Sequence, residues 1–315
     1  MREAARTTPG PSQPGFNNGQ ASAGHPPHPD SLPEGKGEAG GRLHLQHGPI
    51  DLLCRAWGDP AEVRAAYAQA ATAFPVILPT LCAELPALRA PLPSLPPHGP
   101  IARVMHTACT PYADRFITPM AAVAGAVADA LLAAMLAGRR ISRAFVNNGG
   151  DIAFHLAPGQ SLRCGLVTDL AAPALDGLFT LHAAAPSRGI ATSGRACKGR
   201  GGRSFSFGIA DSVTVLARTA AQADAAATVL GNAMDLPGHP AIMRRPADGI
   251  DPNSDLGPRL VTWDLGPLTP AEADAALDAG RRTADALRAR GLIDGAVLTL
   301  RGRVAASLPA TLEIA

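Results

Sequence analysis

The sequence predicts an α+β fold built on a mixed sheet, and three observations lead there. Helix start signals and strand-like runs follow one another in neither strict βαβ alternation nor an all-β series. The 33 glycines and 30 prolines in 315 residues interrupt the chain too often for a helical bundle. A composition of 46% apolar and 17% charged residues can bury a sizeable core without disulfides.

Residues 1–42 are rich in Gly and Pro and poor in large apolar side chains, so they read as a disordered tail. The remainder, 43–315, reads as one domain, either undivided or as two intertwined subdomains. It opens with a hairpin: Leu43 and Leu45 alternate with polar residues, His47, Gly48 and Pro49 turn, and Ile50, Leu52 and Cys54 alternate again. Asp59 then caps a helix that has Pro60 first, Glu62 third, and a face of Val63, Tyr67, Ala70, Ala71 and Phe74. Pro75 and Pro79 kink or divide any helix that continues to Leu88, and Pro91 to Pro100 is an extended connection.

Met120 to Gly138 is almost uniformly apolar and long enough to span a bilayer. Alanine dominates it, however, and Asp129 at its centre would cost about 2.5–3.5 kcal/mol to insert. Thr118 as N-cap, Pro119 at the first position and Gly138 at the end instead mark a core helix. Its carboxylate then needs a buried partner, an arginine or backbone N–H groups. Strand-like runs come next at 143–147, 151–156, 163–168, 178–183 and 212–217. Thr219 with Gln222 opens a helix to about Met234, and Thr269, Pro270 and Glu272 open another to Arg290, flanked by strands at 261–264 and 296–300.

A net charge of +2 is too balanced for a protein that neutralises many phosphates, so no nucleic-acid partner is expected. Cys54, Cys82, Cys109, Cys164 and Cys197 are scattered, odd in number and never spaced CxxC, which argues against a disulfide framework and a zinc knuckle and fits a reducing cytoplasm. The absence of a GxSxG elbow weakens a hydrolase reading. His44, His47, His106, His155, His182 and His239 lack metal-site spacing and read as packed or surface residues.

Three groups remain as candidates for chemistry. Asn147, Asn148, Gly149, Gly150 and Asp151 lie between two strands, where glycines admit a ligand to the backbone but also make a hairpin turn. Thr192, Ser193 and Gly194 precede a loop with Arg195, Lys198, Arg200 and Arg203, which can wrap phosphates or stay solvated. Asp224 and Thr228 share one helical face; a carboxylate plus a hydroxyl is half a site for Mg²⁺, while an Asp in a first turn also suits the helix dipole.

In this order the motifs resemble ApbE-like proteins, Mg²⁺-dependent enzymes that move FMN from FAD onto a protein Thr or Ser. The likeness covers roughly 104–234: GAVAD at 125–129, NNGGD at 147–151, TSG at 192–194, SVTV at 212–215 and ADAAAT at 223–228. From Leu43 onward the chain is similar to an uncharacterised family allied to ApbE, through LHLQHGPIDL, FITPMAAVAGAVAD, SFGIADSV and NSDLG near Asn253. The resemblance implies a T-fold-like, mainly antiparallel sheet packed with helices and a flavin nucleotide such as FAD as ligand. Asn148, Gly149, Gly150, Asp151, Thr192, Ser193 and Gly194 would lie at the nucleotide, and Asp224 and Thr228 at the metal. No catalytic residue carries over. The transferases' His-x-x-Asp-Pro-x-Thr-Gly segment is replaced by SFSFGIAD, and their lysine before the helix glycine is Ala124. The implied function is binding of a pyrophosphate ligand with Mg²⁺ and transfer of a flavin or nucleotidyl group to an unknown protein acceptor, with a non-catalytic binding or structural protein as the alternative.

Overall fold

Eight strands form the main sheet of the computed structural model, which describes residues 41–166, 177–194, 196–197, 199 and 204–309. In chain order they are β1 Leu43–His47, β2 Ile50–Gly58, β3 Ile141–Asn148, β4 Asp151–Leu156, β7 Gly189–Ser193, β8 Ser212–Ala217, β11 Gly295–Leu300 and β12 Arg303–Ser307. They lie side by side in that order, and every described pairing is antiparallel, so the mainly antiparallel arrangement is carried through the whole sheet. The sheet alternates as a half-buried strand must: Leu52, Cys54 and Ala56 point to the helical face while Leu53, Arg55 and Trp57 do not. Helices α1 Pro60–Ala73, α5 Val123–Leu136, α6 Ala220–Ala233 and α7 Pro270–Ala289 pack on that face. On the other face the hairpin of β5 Ser161–Leu166 and β6 Gly177–His182 contributes Phe179 and Leu181 to a second core with Phe154, Leu156, Ile190 and Leu216. A separate ribbon, β9 Ile242–Pro246 with β10 Leu260–Leu265, is tied to the main chain by Thr262, whose N–H donates to the Ser206 carbonyl and whose hydroxyl donates to the Gly208 carbonyl.

Local signals explain most starts and stops. Asp59 accepts from the N–H groups of Ala61 and Glu62 at 2.8 and 3.3 Å, and Pro60 occupies the first helical position. On α1 the buried face includes Ala66 in place of the expected Ala71. Thr269 and Glu272 exchange both bonds of a capping box. Residues 74–76 make one 3₁₀ turn at Pro75, followed by the short helices α2 Ile77–Ala83 and α3 Leu85–Leu88. Helix α4 Pro100–Cys109 and strands β9 and β12 were not expected from the sequence. The disordered-tail reading and Arg195, Lys198, Arg200 and Arg203 fall, apart from Gly41 and Arg42, outside the described residues.

One expectation is corrected. Thr118 does not cap the alanine-rich helix, because Pro119 starts a 3₁₀ turn, Pro119–Ala122, and the α-helix begins only at Val123. The freed Thr118 hydroxyl donates instead to Asp255 at 2.5 Å. Pro60–Ala83 and Pro119–Leu136 are long and apolar enough by length and composition to cross a membrane, and half of the second one's apolar window is buried within the fold.

The alanine content has a packing reason. Helix α6 buries Ala220, Ala221, Ala223, Ala225, Ala226 and Ala227, because one side meets the sheet and the other meets α5 at backbone distance. At the crossing, a Cβ on Gly125 would stand 2.3 Å from the carbonyl oxygen of Ala220. Gly125→Ala should therefore force the helices apart and lower stability by about 1–3 kcal/mol. A urea unfolding midpoint equal to the parent's would show that the crossing is looser than this.

Candidate functional site

The α5–α6 crossing places two acidic side chains at two helix starts. Asp129 on α5 accepts from the N–H groups of Ala220 and Ala221, at 3.0 and 2.9 Å, and so satisfies the first turn of α6. The expected partner of this carboxylate is thus a pair of backbone donors. In return Asp224 on α6 accepts from Gly125 N–H at 3.0 Å and from the backbone of Ala124, in the first turn of α5. Burial raises the pKa of both carboxyls, and the bonds to the helix starts oppose the rise.

Asp151 reaches the same place from the sheet. Asn148 and Asp151 pair across a two-residue turn in which Gly149 and Gly150 have φ of 66° and 116°, a conformation only glycine adopts without strain. Asn147 Oδ1 accepts from Gly150 N–H at 2.9 Å, and the Asn148 amide donates to the Ala124 carbonyl at 3.1 Å, which fastens the turn to α5. Asp151 receives a hydrogen bond from the backbone of Thr192, while burial and the nearby Asp224 push its carboxyl well above the usual range.

Asp151, Asp224 and Thr228 line one cavity of about 390 Å³. The other expected nucleotide residues lie on the β3–β4 turn and at the end of β7. Asn148, Gly149 and Gly150 form and anchor the turn, and Thr192 spends its hydroxyl on Thr214 at 3.0 Å. Ser193 faces Gly231 of α6, and Gly194 follows the end of β7. Among the described residues, none of these six lines the cavity. The remaining wall comes from segments that sequence reasoning did not single out for the site: Phe116 and Thr118 before α5, Ser206 and Phe207 after β7, Asn232 at the end of α6, and Asp255 in the loop between β9 and β10. The NSDLG and FITP strings were visible as family features. Their meeting through the Thr118–Asp255 bond, 137 residues apart in sequence, carried no local signal.

Thr228 is the most informative of the three. Thr72, Thr80, Thr110 and Thr283 each return the hydroxyl to the carbonyl four residues earlier. Thr228 does not, and among the described residues its hydroxyl makes no hydrogen bond. No Arg, Lys or His forms an ion pair with Asp151 or Asp224 among the described residues. Two desolvated carboxylates that repel each other, next to an unspent hydroxyl, are an all-oxygen donor set that fits a hard divalent cation. No group of three or more His, Cys, Asp or Glu side chains suited to a metal occurs among the described residues, so protein ligands there would be few. Four histidines are engaged elsewhere: His44 with Asp51, His106 with the Ser94 carbonyl, His155 with the Ile141 carbonyl and His239 with Glu272.

Three comparisons with known proteins found similarities to this chain. A family model described as AbpE bacteria matches residues 32–306. A UPF0280 protein of Methanoregula boonei is 35% identical over 171 residues, covering 51% of this chain and 66% of that relative, so the chain spans just under two thirds of the relative's length. Among solved structures, the ApbE protein of Thermotoga maritima aligns over 86% of this chain and 97% of its own at 13% identity and a TM-score of 0.41. The apo flavinyl transferase ApbE of Pseudomonas stutzeri aligns over 85% and 94% at 12% identity and a TM-score of 0.37.

The raised carboxyls make stability depend on pH with a definite sign. Asp224 is pushed up from 3.8 to about 7, so the folded state holds its proton where the unfolded chain has lost it. Stability from this group is present below the ordinary carboxylate range and is lost as pH rises towards 7. The metal-free protein should lose about 1–3 kcal/mol from this group between pH 4 and pH 8. Asp224→Asn should flatten that slope in urea titrations across the pH range, and saturating Mg²⁺ should oppose the loss. An unchanged slope in the variant would contradict the assignment.

Proposed function

The chain belongs to the AbpE bacteria family, and from that premise we propose that it binds a flavin nucleotide such as FAD, or a similar pyrophosphate ligand, together with Mg²⁺ at Asp151, Asp224 and Thr228. The observation that carries this reading is the Thr228 hydroxyl, which makes no hydrogen bond among the described residues, beside two carboxyls that no described Arg, Lys or His pairs with. Mg²⁺ there would be held by Asp151, Asp224 and Thr228 and would supply positive charge that offsets a pyrophosphate's. Asp151 and Asp224 offer anionic oxygens, and binding at neutral pH releases whatever proton the pair still holds. Asp224 also keeps its bonds to the α5 start, since a carboxylate has about four lone-pair sites. Thr228 adds a neutral oxygen one helical turn further along α6. The cavity volume suits a nucleotide-sized ligand, and Phe116 and Phe207, 6.0 Å apart edge to face, offer apolar wall for a flat ring.

Transfer of a flavin or nucleotidyl group to a protein acceptor is the reaction proposed for this site. A second reading, holding the ligand without transferring it, is favoured by one observation: among the described lining residues there is no histidine, leaving only carboxylates as bases. We assign the protein to the cytoplasm, supported by five cysteines that are all thiols.

Calorimetric titration of FAD with and without Mg²⁺ tests the proposal. Asp224→Asn and Thr228→Val should each weaken Mg²⁺-dependent binding by tenfold or more, with at most about 1 kcal/mol lost in stability for the Thr228 change. Equal affinities for both variants and the parent would refute the metal site.

A further inference from the structure

Arg89 follows the last turn of α3, where its N–H donates to the Leu85 carbonyl at 3.0 Å. Three residues later Leu92 N–H donates to the Ile117 carbonyl at 2.9 Å, which laces this segment to the Phe116–Thr118 wall. Arg89 is half-buried and lines the same cavity as Asp151, Asp224 and Thr228.

What sets it apart is that a half-buried guanidinium at the cavity has no partner among the described residues. Other arginines near helices and strands are engaged, among them Arg244 with Asp235, Arg303 with Asp274, and Arg188 with three carbonyls. Among the described residues the Arg89 side chain makes no hydrogen bond and no ion pair, although Asp251 and Asp255 line the same cavity. Those two carboxylates have their own donors, Asn253 N–H at 2.9 Å and the Thr118 hydroxyl. A partly desolvated cation without a partner is unfavourable unless a ligand supplies one. Its planar fork of five N–H donors matches a phosphate group in bidentate fashion.

We propose that Arg89 is an anion-binding residue of this cavity, gripping a phosphate group of the ligand from the α3 side while the carboxylates take the cation. This rests on the binding reading above and adds a charged contact that none of the sequence motifs contains. It also narrows the ligand to one whose phosphate is exposed enough to be held by both a cation and a guanidinium.

The test uses inorganic pyrophosphate and Mn²⁺ as separate probes on the whole protein, with Arg89→Gln and Arg89→Lys. In calorimetry with saturating Mg²⁺, Arg89→Gln should bind pyrophosphate at least tenfold more weakly than the parent. Arg89→Lys should recover part of that loss, because a point charge cannot form the fork. Affinity for Mn²⁺ alone should stay within about twofold in both variants, which a general loss of structure would not allow. Should Arg89→Gln fail to fold, the parent decides: pyrophosphate should slow modification of Arg89 by phenylglyoxal, read by peptide mass spectrometry. Pyrophosphate binding unchanged in Arg89→Gln, or no protection in the parent, overturns the proposal. If Mn²⁺ fails to bind the parent while the Arg89 effect persists in metal-free pyrophosphate titrations, the metal reading falls and this one stands.

Discussion

Two carboxylates exchanged between helices α5 and α6 are the constraint on which the rest of the structure depends. Each helix starts within the fold, where its first N–H groups need acceptors. Asp129 supplies acceptors for α6, and Asp224 supplies them for α5. Each anion faces the positive end of the opposite helix, so neither needs an arginine. The exchange works only if the backbones touch, and that is why position 125 has no side chain and the facing stretch of α6 is alanine. Gly189 meets the same helix start, where a Cβ would lie 2.1 Å from the Thr219 carbonyl carbon.

The same geometry creates the site. Asp224 cannot retreat to solvent while it holds the α5 start, and the glycine turn between β3 and β4 fixes Asp151 near it. The fold therefore keeps two carboxyls in a poorly hydrated place where they disfavour each other's ionisation, an arrangement that opposes stability unless a cation is present. Around it the Thr118–Asp255 bond and the stacking of Arg259 on Phe116, at 3.5 Å from the ring centroid, join the β9–β10 loop to the α5 entrance. Chain segments far apart in sequence close one cavity.

Elements whose cause is local were legible in the sequence. Asp59 with Pro60, the Thr269–Glu272 box, the two-glycine hairpin at 148–151 and strand 212–217 arise from capping, turn chemistry and alternation within a few residues. The inward face of the alanine-rich helix was legible too, as was the need of Asp129 for a partner. The identity of that partner was not, because the donors are backbone groups 91 residues away. Thr118 looked like a cap because Ser or Thr before Pro usually is one, but the 3₁₀ turn after it moves the helix start by four residues. Of the proposed site residues, Asp151, Asp224 and Thr228 line the cavity, while Asn148, Gly149 and Gly150 form the β3–β4 turn and Thr192, Ser193 and Gly194 stand at the end of β7. Arg89 lay in a proline-rich stretch with no periodicity, so only the folded chain brings it to the cavity.

Anomalous diffraction from crystals grown with Mn²⁺ addresses the central claim, that one aspartate both starts α5 and serves a cation site. The account predicts an anomalous peak in contact with the carboxylates of Asp151 and Asp224 and the hydroxyl of Thr228, with the Asp224 bond to Gly125 N–H intact. A peak elsewhere, or none at saturating Mn²⁺, would contradict it.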